Sequence, residues 1–139
     1  MISIILIIGV IISVLYYLFP LIQVVGDSMH PTYSNNEIIV GIRFYRKSNL
    51  KKGDVIVYHS PDGRIVIKRI DNIMKDKMVL NKSLFNQVGT YYYCIGDNLD
   101  HSYDSRNYGY ISSKEIVCKI LNQRRNNNNV FCNQEGRNT

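Results

Sequence analysis

The chain opens on an unbroken apolar run. Ile2 to Phe19, ISIILIIGVIISVLYYLF, carries no charge and is diluted only by Ser3, Gly9 and Ser13. Those eighteen residues, if helical, reach roughly 27 Å, close to the hydrocarbon thickness of a bilayer. Tyr16 and Tyr17 fall near its end, where aromatic side chains settle at a membrane–water interface. Pro20 discourages further helix. The pattern predicts a transmembrane anchor over residues 1–20. A removable leader would begin with positive charge and close on a small-x-small site. No Lys or Arg precedes Arg43, and FPLIQVVGD offers no Ala-x-Ala, so the run reads as a retained anchor.

Beyond residue 20 the pattern changes to short runs rich in Val, Ile and Tyr, separated by turn residues. Glu37–Ile42, Asp54–Tyr58, Arg64–Ile70, Lys77–Leu80 and Thr90–Asp97 each read as strands. Pro61-Asp62-Gly63 sits between the second and third, which predicts a hairpin. Lys114–Leu121 suits either a strand or a short helix. No long amphipathic helix and no internal repeat stands out. The expected fold is a mostly β domain over residues 21–121 behind one amino-terminal transmembrane helix. Residues 122–139 are polar and Asn-rich, with almost nothing to bury, and read as a disordered tail. About 100 residues remain for one modest core.

Charge and cysteines narrow the function classes. The formal charge is +6, but the cations are scattered along the chain and form no helical stripe. With no zinc-finger or helix-turn-helix pattern beside them, nucleic acid is not expected as a partner. A basic face resting on an anionic lipid bilayer is the better use. The three cysteines are odd in number and include no CxxC, so neither a disulfide framework nor a zinc site is indicated. Cys94 and Cys118 are expected as small buried residues in strands.

Three stretches could carry chemistry. The first is VVGDSMHPTY, Val24 to Tyr33. Gly26 permits an unusual backbone angle and Pro31 stiffens the exit, so Ser28 is presented on a constrained turn. A serine nucleophile needs a base. His30 is too near in sequence to reach back easily, which leaves His59, His101 and Lys68. In RIVIKRI, strand parity puts Lys68 on one face with Val66 and Ile70. Desolvation there favours the neutral amine, the form able to accept a proton. The third stretch is GDNLDHSYDSRNYGYI, Gly96 to Ile111. Asp97, Asp100, His101 and Asp104 could be imagined as metal ligands, but the EF-hand spacing and central glycine are missing. No metal and no cofactor is expected. The alternative is a scaffold in which Ser102 hydrogen-bonds the base while Asp104 and Arg106 lock the loop.

These three pieces, in this order and behind an anchor, resemble the bacterial type I signal peptidases, membrane-bound serine proteases of the Ser-Lys kind. GDSMHPT is similar to their nucleophile box, GDVIVY and RIVIKRI to the boxes leading to and holding the base, and GDNLDHSYDSRNYGYI to their last box. The resemblance runs from Val24 to Ile111. It implies Ser28 as the acyl-forming nucleophile, Lys68 as general base and the Ser28 backbone N–H as one oxyanion donor. In some members a hydroxyl residue two before the nucleophile gives a second donor; here that position is Gly26. Ser102 would orient the Lys68 amine, and Asp97, Asn98, Asp104 and Arg106 would form the structural loop of the site. Met29 and Ile67 would line a shallow apolar pocket for small residues one and three places before the cut. The implied partners are preprotein signal peptides and the bilayer. The implied topology is a cytoplasmic amino terminus and a catalytic domain outside the cell membrane.

The chain departs from that pattern in places. Where the family often carries a Gly-Leu-Pro-Gly-Asp-like stretch after the lysine box, this sequence runs IDNIMKDKMVL, and Tyr33 stands where Leu is frequent. Little chain is left between Asp71 and Thr90 for an accessory domain, which points to a narrow substrate range. Three rivals use the same residues differently. A self-cleaving repressor shares Ser-Lys chemistry but lacks an anchor. A Ser-His enzyme would use His59 or His101. A membrane-tethered binding domain would treat DSMHPT as an ordinary loop.

Overall fold

A computed structural model describes residues 1–43, 49–75, 89–121 and 123. The first helix, α1, is Ile2–Leu18, and none of its residues is buried. Among the described residues no helix is long and apolar enough to cross a membrane. The shortfall of α1 is one of length: its 17 residues reach about 25 Å against roughly 30 Å of hydrocarbon. The helix is shorter than the run that predicts it because Phe19 has already left helical geometry, as a residue before proline tends to do. Its end is tied to the body. Gly41 N donates to Pro20 O and Arg43 N to Leu18 O, at 2.9 and 3.0 Å. The Arg43 guanidinium lies 5.0 Å over the Tyr17 ring, placing a cation at the negative end of the helix dipole.

Seven described strands follow: β1 Leu21–Gln23, β2 Ile38–Ile42, β3 Val55–His59, β4 Ile65–Lys75, β5 Thr90–Ile95, β6 Ile111–Ser112 and β7 Ile116–Ile120. They form one antiparallel sheet in the order β1-β2-β7-β3-β4-β5-β6. The mostly β expectation holds for this domain. The hairpin predicted around Pro61-Asp62-Gly63 is present, with Val55 opposite Arg69 and His59 opposite Ile65. Gly63 supplies the left-handed turn residue at φ +82°. Lys114–Leu121 divides into a single 3₁₀ turn, Ser113–Glu115, and then β7. A four-residue helix, α2, spans Ser105–Tyr108. The strand expected at Lys77–Leu80 lies outside the described residues, as does all of the Asn-rich tail except Gln123.

β3 is central and buried on both faces, which explains its uninterrupted apolar sequence. Val55 and Val57 pack with Val24, Met29, Tyr33, Ile39, Cys118 and Ile120. Ile56 and Tyr58 face the other way, against Leu50, Ile70, Tyr92, Cys94, Ile111 and Ile116. Each large side chain so buried contributes about 1.5–3 kcal/mol. Cys94 and Cys118 are free and buried, as expected of small strand residues, and burial pushes both thiols up and away from reactivity. The two apolar layers fix β4 against β3, and β4 carries the residue on which the site turns.

Candidate active site

The segment from Gly26 to Tyr33 folds back on itself in a tight turn. Gly26 sits at φ +88°, where a side chain would strain the backbone although space for a Cβ is open. His30 N donates to Asp27 O and Tyr33 N to Met29 O, each at 3.0 Å. Ser28 is thereby held at the crest of the turn. Its backbone N–H has no acceptor among the described residues. The Gly26 N–H, by contrast, is spent on Asn35 Oδ1 at 2.9 Å. The Gly26 amide is thus aimed into a neighbouring turn, away from the Ser28 N–H.

Lys68 stands on β4 opposite Ile56 of β3, with Val66 and Ile70 beside it on the same face. Only 4 % of it is exposed. Its Nζ donates to Ser28 Oγ at 2.6 Å, so the structure brings together two residues forty positions apart. Burial lowers the Lys68 pKa from 10.5 to about 8. The guanidinium groups of Arg106 and Arg64 push the same way, while the carboxylates of Asp104 and Asp97 oppose them.

The third element, Gly96 to Gly109, closes over this pair. Asn98 N donates to Ser28 O at 3.0 Å and Asn98 Nδ2 to Asp27 O at 3.1 Å, so one residue grips the nucleophile turn twice, once by its backbone and once by its side chain. Gly96 is required by space: a Cβ there would lie 2.5 Å from Ser28 O and 2.2 Å from Ser102 Oγ. Asp97 binds Arg69 through two hydrogen bonds of 2.8 and 2.6 Å, and Arg69 also donates to Gly53 O. Asp104 is fully buried at the centre of the loop. It accepts from Gly96 N, Ser102 Oγ, and the backbone and guanidinium of Arg106. Burial pushes the Asp104 carboxyl up, but the hydrogen bonds from Arg106, Ser102 and Gly96 outweigh it and hold the pKa below the usual range. Asp104 also caps α2, with Asn107 returning a bond to the Asp104 backbone.

The structure places Ser102 and Met29 as follows. Ser102 gives its hydroxyl to Asp104 Oδ2 at 2.6 Å, whereas the Lys68 amine is bonded to Ser28; Ser102 therefore bears on the carboxylate and not directly on the amine. Met29 is 1 % exposed and belongs to the core with Val24 and Tyr33, so it can only floor a pocket, not line an open one. Ile67 is half-buried and packs on the same cluster. His59 and His101 are exposed, at the end of β3 and in a 3₁₀ turn respectively. Of the three carboxylates considered as metal ligands, Asp97 is committed to Arg69, and Asp104 to Arg106 and its own loop. Sequence reasoning missed Asn107, although its spacing from Asp104 is that of a capping box, and it missed Asn35, for which no local signal exists.

A hydroxyl 2.6 Å from a desolvated amine can pass its proton to that amine as it attacks a carbonyl, which is the chemistry of a hydrolase. Comparison with known proteins agrees with that class. Residues 1–81 match the family of signal peptidase, peptidase S26. Signal peptidase IB of Staphylococcus aureus (strain N315) is 27 % identical over 137 residues, covering 68 % of this chain and 72 % of that protein. Mitochondrial inner membrane protease subunit 1 of Schizosaccharomyces pombe is 34 % identical over 117 residues, covering 76 % of this chain and 73 % of that protein. The chain belongs to the signal peptidase family, peptidase S26.

Proposed function

We propose that this peptidase is membrane-anchored and removes amino-terminal signal peptides from secreted preproteins, with Ser28 as nucleophile and Lys68 as general base. The observation that carries the reading is the buried Lys68 amine hydrogen-bonded to the Ser28 hydroxyl at 2.6 Å. With Lys68 neutral, the serine proton moves to Nζ as Oγ bonds to the scissile carbonyl carbon. The oxyanion that forms faces the uncommitted Ser28 N–H, a donor of a kind worth about 3–4 kcal/mol. Collapse breaks the C–N bond, and the Lys68 ammonium protonates the departing amine. Water then attacks the acyl-serine ester, losing a proton to Lys68; the C–Oγ bond breaks, the Lys68 ammonium returns that proton to Ser28 Oγ, and the cleaved signal peptide leaves as a carboxylic acid.

The sheet offers a track for the substrate. β4 pairs with β3 from Ile65 to Arg69 but with β5 only from Arg69 onward. On the side away from β3, Ile65 to Lys68 has no partner strand among the described residues, and this open edge leads to the base. An extended peptide adding there would turn alternate side chains toward the same face. Residues one and three places before the cut would then lie near the apolar cluster to which Met29 and Ile67 belong, in keeping with small side chains at those places.

The anchor sets the height of the site. Ser28 lies ten residues past α1. Leu21 stands opposite Val40 on the outward face of β1 and β2, and Ile38 follows on that face; Leu21 is 61 % and Ile38 66 % exposed. Such a patch continuing from an apolar helix suits a lipid interface. A helix this short is accommodated by local thinning of the bilayer. The amino terminus lies in the cytoplasm and the sheet domain outside, where signal peptides emerge. The test uses detergent-solubilised protein and a preprotein with Ala-x-Ala before its cut, with the new amino terminus read by mass spectrometry. Wild type cleaves after the second Ala, while Ser28→Ala and Lys68→Met do not. Cleavage surviving in Lys68→Met would move the base to a histidine, and a wild type inert on a panel of such preproteins would remove the reading.

A further inference from the structure

The nucleophile turn is gripped by Asn98 on one side, and the opposite side depends on a residue with no role assigned so far. Backbone pairing between the two arms of the loop ends at Val24, whose N–H donates to Glu37 O and whose carbonyl accepts from Asn36 N, both at 2.8 Å. The next step along the chain toward Ser28 is carried by a side chain: Asn35 Oδ1 accepts the Gly26 N–H at 2.9 Å. Gly26 is the loosest point of the turn, because glycine moves easily between left- and right-handed backbone and nothing packs within 4 Å of its Cβ position. Without a bond at Gly26, the peptide units on either side of it are free to rotate, and Ser28 is only two residues on.

We infer that Asn35 is a positioning residue for the nucleophile, holding Gly26 at φ +88° so that the Ser28 hydroxyl meets Lys68 and the Ser28 N–H points toward the developing oxyanion. The inference rests on Ser28 and Lys68 being the catalytic pair. Its chemistry is narrow: the position must supply an oxygen acceptor. Asn35 is exposed and outside the core, so substitutions there leave the fold intact. Asn35 is also uncharged and not among the charged groups that act on the Lys68 pKa, which are Asp104, Arg106, Arg64 and Asp97. Its loss should therefore lower kcat while leaving KM and the pH midpoint unmoved.

The test has two readouts on the full-length chain in detergent. Selective ¹⁵N-glycine labelling gives nine signals to resolve, with Gly26 assigned by its absence in Gly26→Ala, and amide exchange reports the bond. Peptidase kinetics report its consequence. In Asn35→Ala the Gly26 amide should exchange faster and kcat should fall on the order of tenfold, the scale of a misplaced reacting group. Asn35→Asp keeps the acceptor oxygen and should restore both. An Asn35→Ala enzyme with unchanged kcat overturns the inference, as does Gly26 exchange that is equally slow in wild type and Asn35→Ala. A kcat loss that Asn35→Asp fails to rescue overturns it too. Wild-type protein that cuts no preprotein overturns the functional reading and takes the positioning role with it, even where exchange shows the Asn35–Gly26 bond.

Discussion

Replacing Lys68 by Met should make the protein inactive and, at neutral pH, more stable. The lysine is nearly inaccessible, and burial has moved its pKa from 10.5 to about 8. That displacement corresponds to roughly 3 kcal/mol held against the ammonium form. At pH 7 about nine-tenths of the folded molecules still carry the proton, so nearly the whole penalty is present. Methionine fills a similar volume without it. The variant loses the hydrogen bond to Ser28, worth about 1 kcal/mol, and the half-buried serine can turn to water. The net gain is about 2 kcal/mol, or on the order of 10 °C in Tm for a domain of this size. Sign and window follow from the lowered pKa. Below pH 8 both folded and unfolded wild-type chains hold the proton, and the gap between wild type and variant is constant. Between pH 8 and 10.5 the unfolded chain keeps a proton that the folded chain has lost, so wild-type stability rises with pH and the gap closes. Thermal unfolding of the full-length chain in detergent, followed by circular dichroism at pH 6, 7, 9 and 10, measures it. A Lys68→Met protein less stable than wild type at pH 7, or a gap that does not shrink above pH 8, would refute the reasoning.

The pH dependence of kcat should rise to a plateau with a midpoint near 8, and Asp104→Asn should move that midpoint to lower pH. The lost carboxylate no longer favours the ammonium, and Arg106 is no longer neutralised. An alkaline movement would count against the charge assignment. Gly96→Ala should cost about 1–3 kcal/mol in stability and more than tenfold in kcat, because its Cβ meets the Ser28 carbonyl and Ser102; a variant with wild-type kcat and Tm would show that the loop yields freely. Asp97→Ala deprives the buried Arg69 guanidinium of its carboxylate and should cost about 3–5 kcal/mol in urea unfolding, whereas Asp97→Leu combined with Arg69→Met should recover most of it. Equal losses in the single and double variants would contradict that account.

What the sequence disclosed follows from how local each signal is. The β3–β4 hairpin was legible because its turn residues and apolar runs lie within one short window. Lys68 was legible because strand parity alone puts Val66 and Ile70 on its face. β1 and β6 were not, since three and two residues are too few for a period to show, and each exists by pairing with a strand distant in sequence. The bond from Ser102 to Asp104 was not legible for a similar reason. The serine's partner depends on how the loop closes around Asp104, and nothing in GDNLDHSYDSRNYGYI says whether its hydroxyl turns toward the amine or the carboxylate. Asn35 and Gly26 are nine positions apart across a turn, a separation with no sequence signature.

The two acids near Lys68 raise a physical problem that the loop resolves. An unpaired carboxylate beside a lysine would raise the lysine pKa and keep the amine protonated at neutral pH. Here each acid has an arginine of its own. Asp97 is consumed by Arg69, the residue next to the base, in a pair that is almost fully buried. Asp104 is consumed by Arg106 and by hydrogen bonds from Ser102 and Gly96. Lys68 therefore experiences two nearly neutral pairs in place of two anions, and desolvation remains the largest influence on its pKa. The same bonds keep the loop rigid over the Ser28 turn, since Gly96 and Asn98 touch it directly. Rigidity and a lowered lysine pKa thus come from one set of contacts. Removing Arg106 while leaving Asp104 should both loosen the loop and drive the base toward its protonated form, so the damage to kcat at neutral pH should exceed the damage at pH 10, where more of the lysine is neutral.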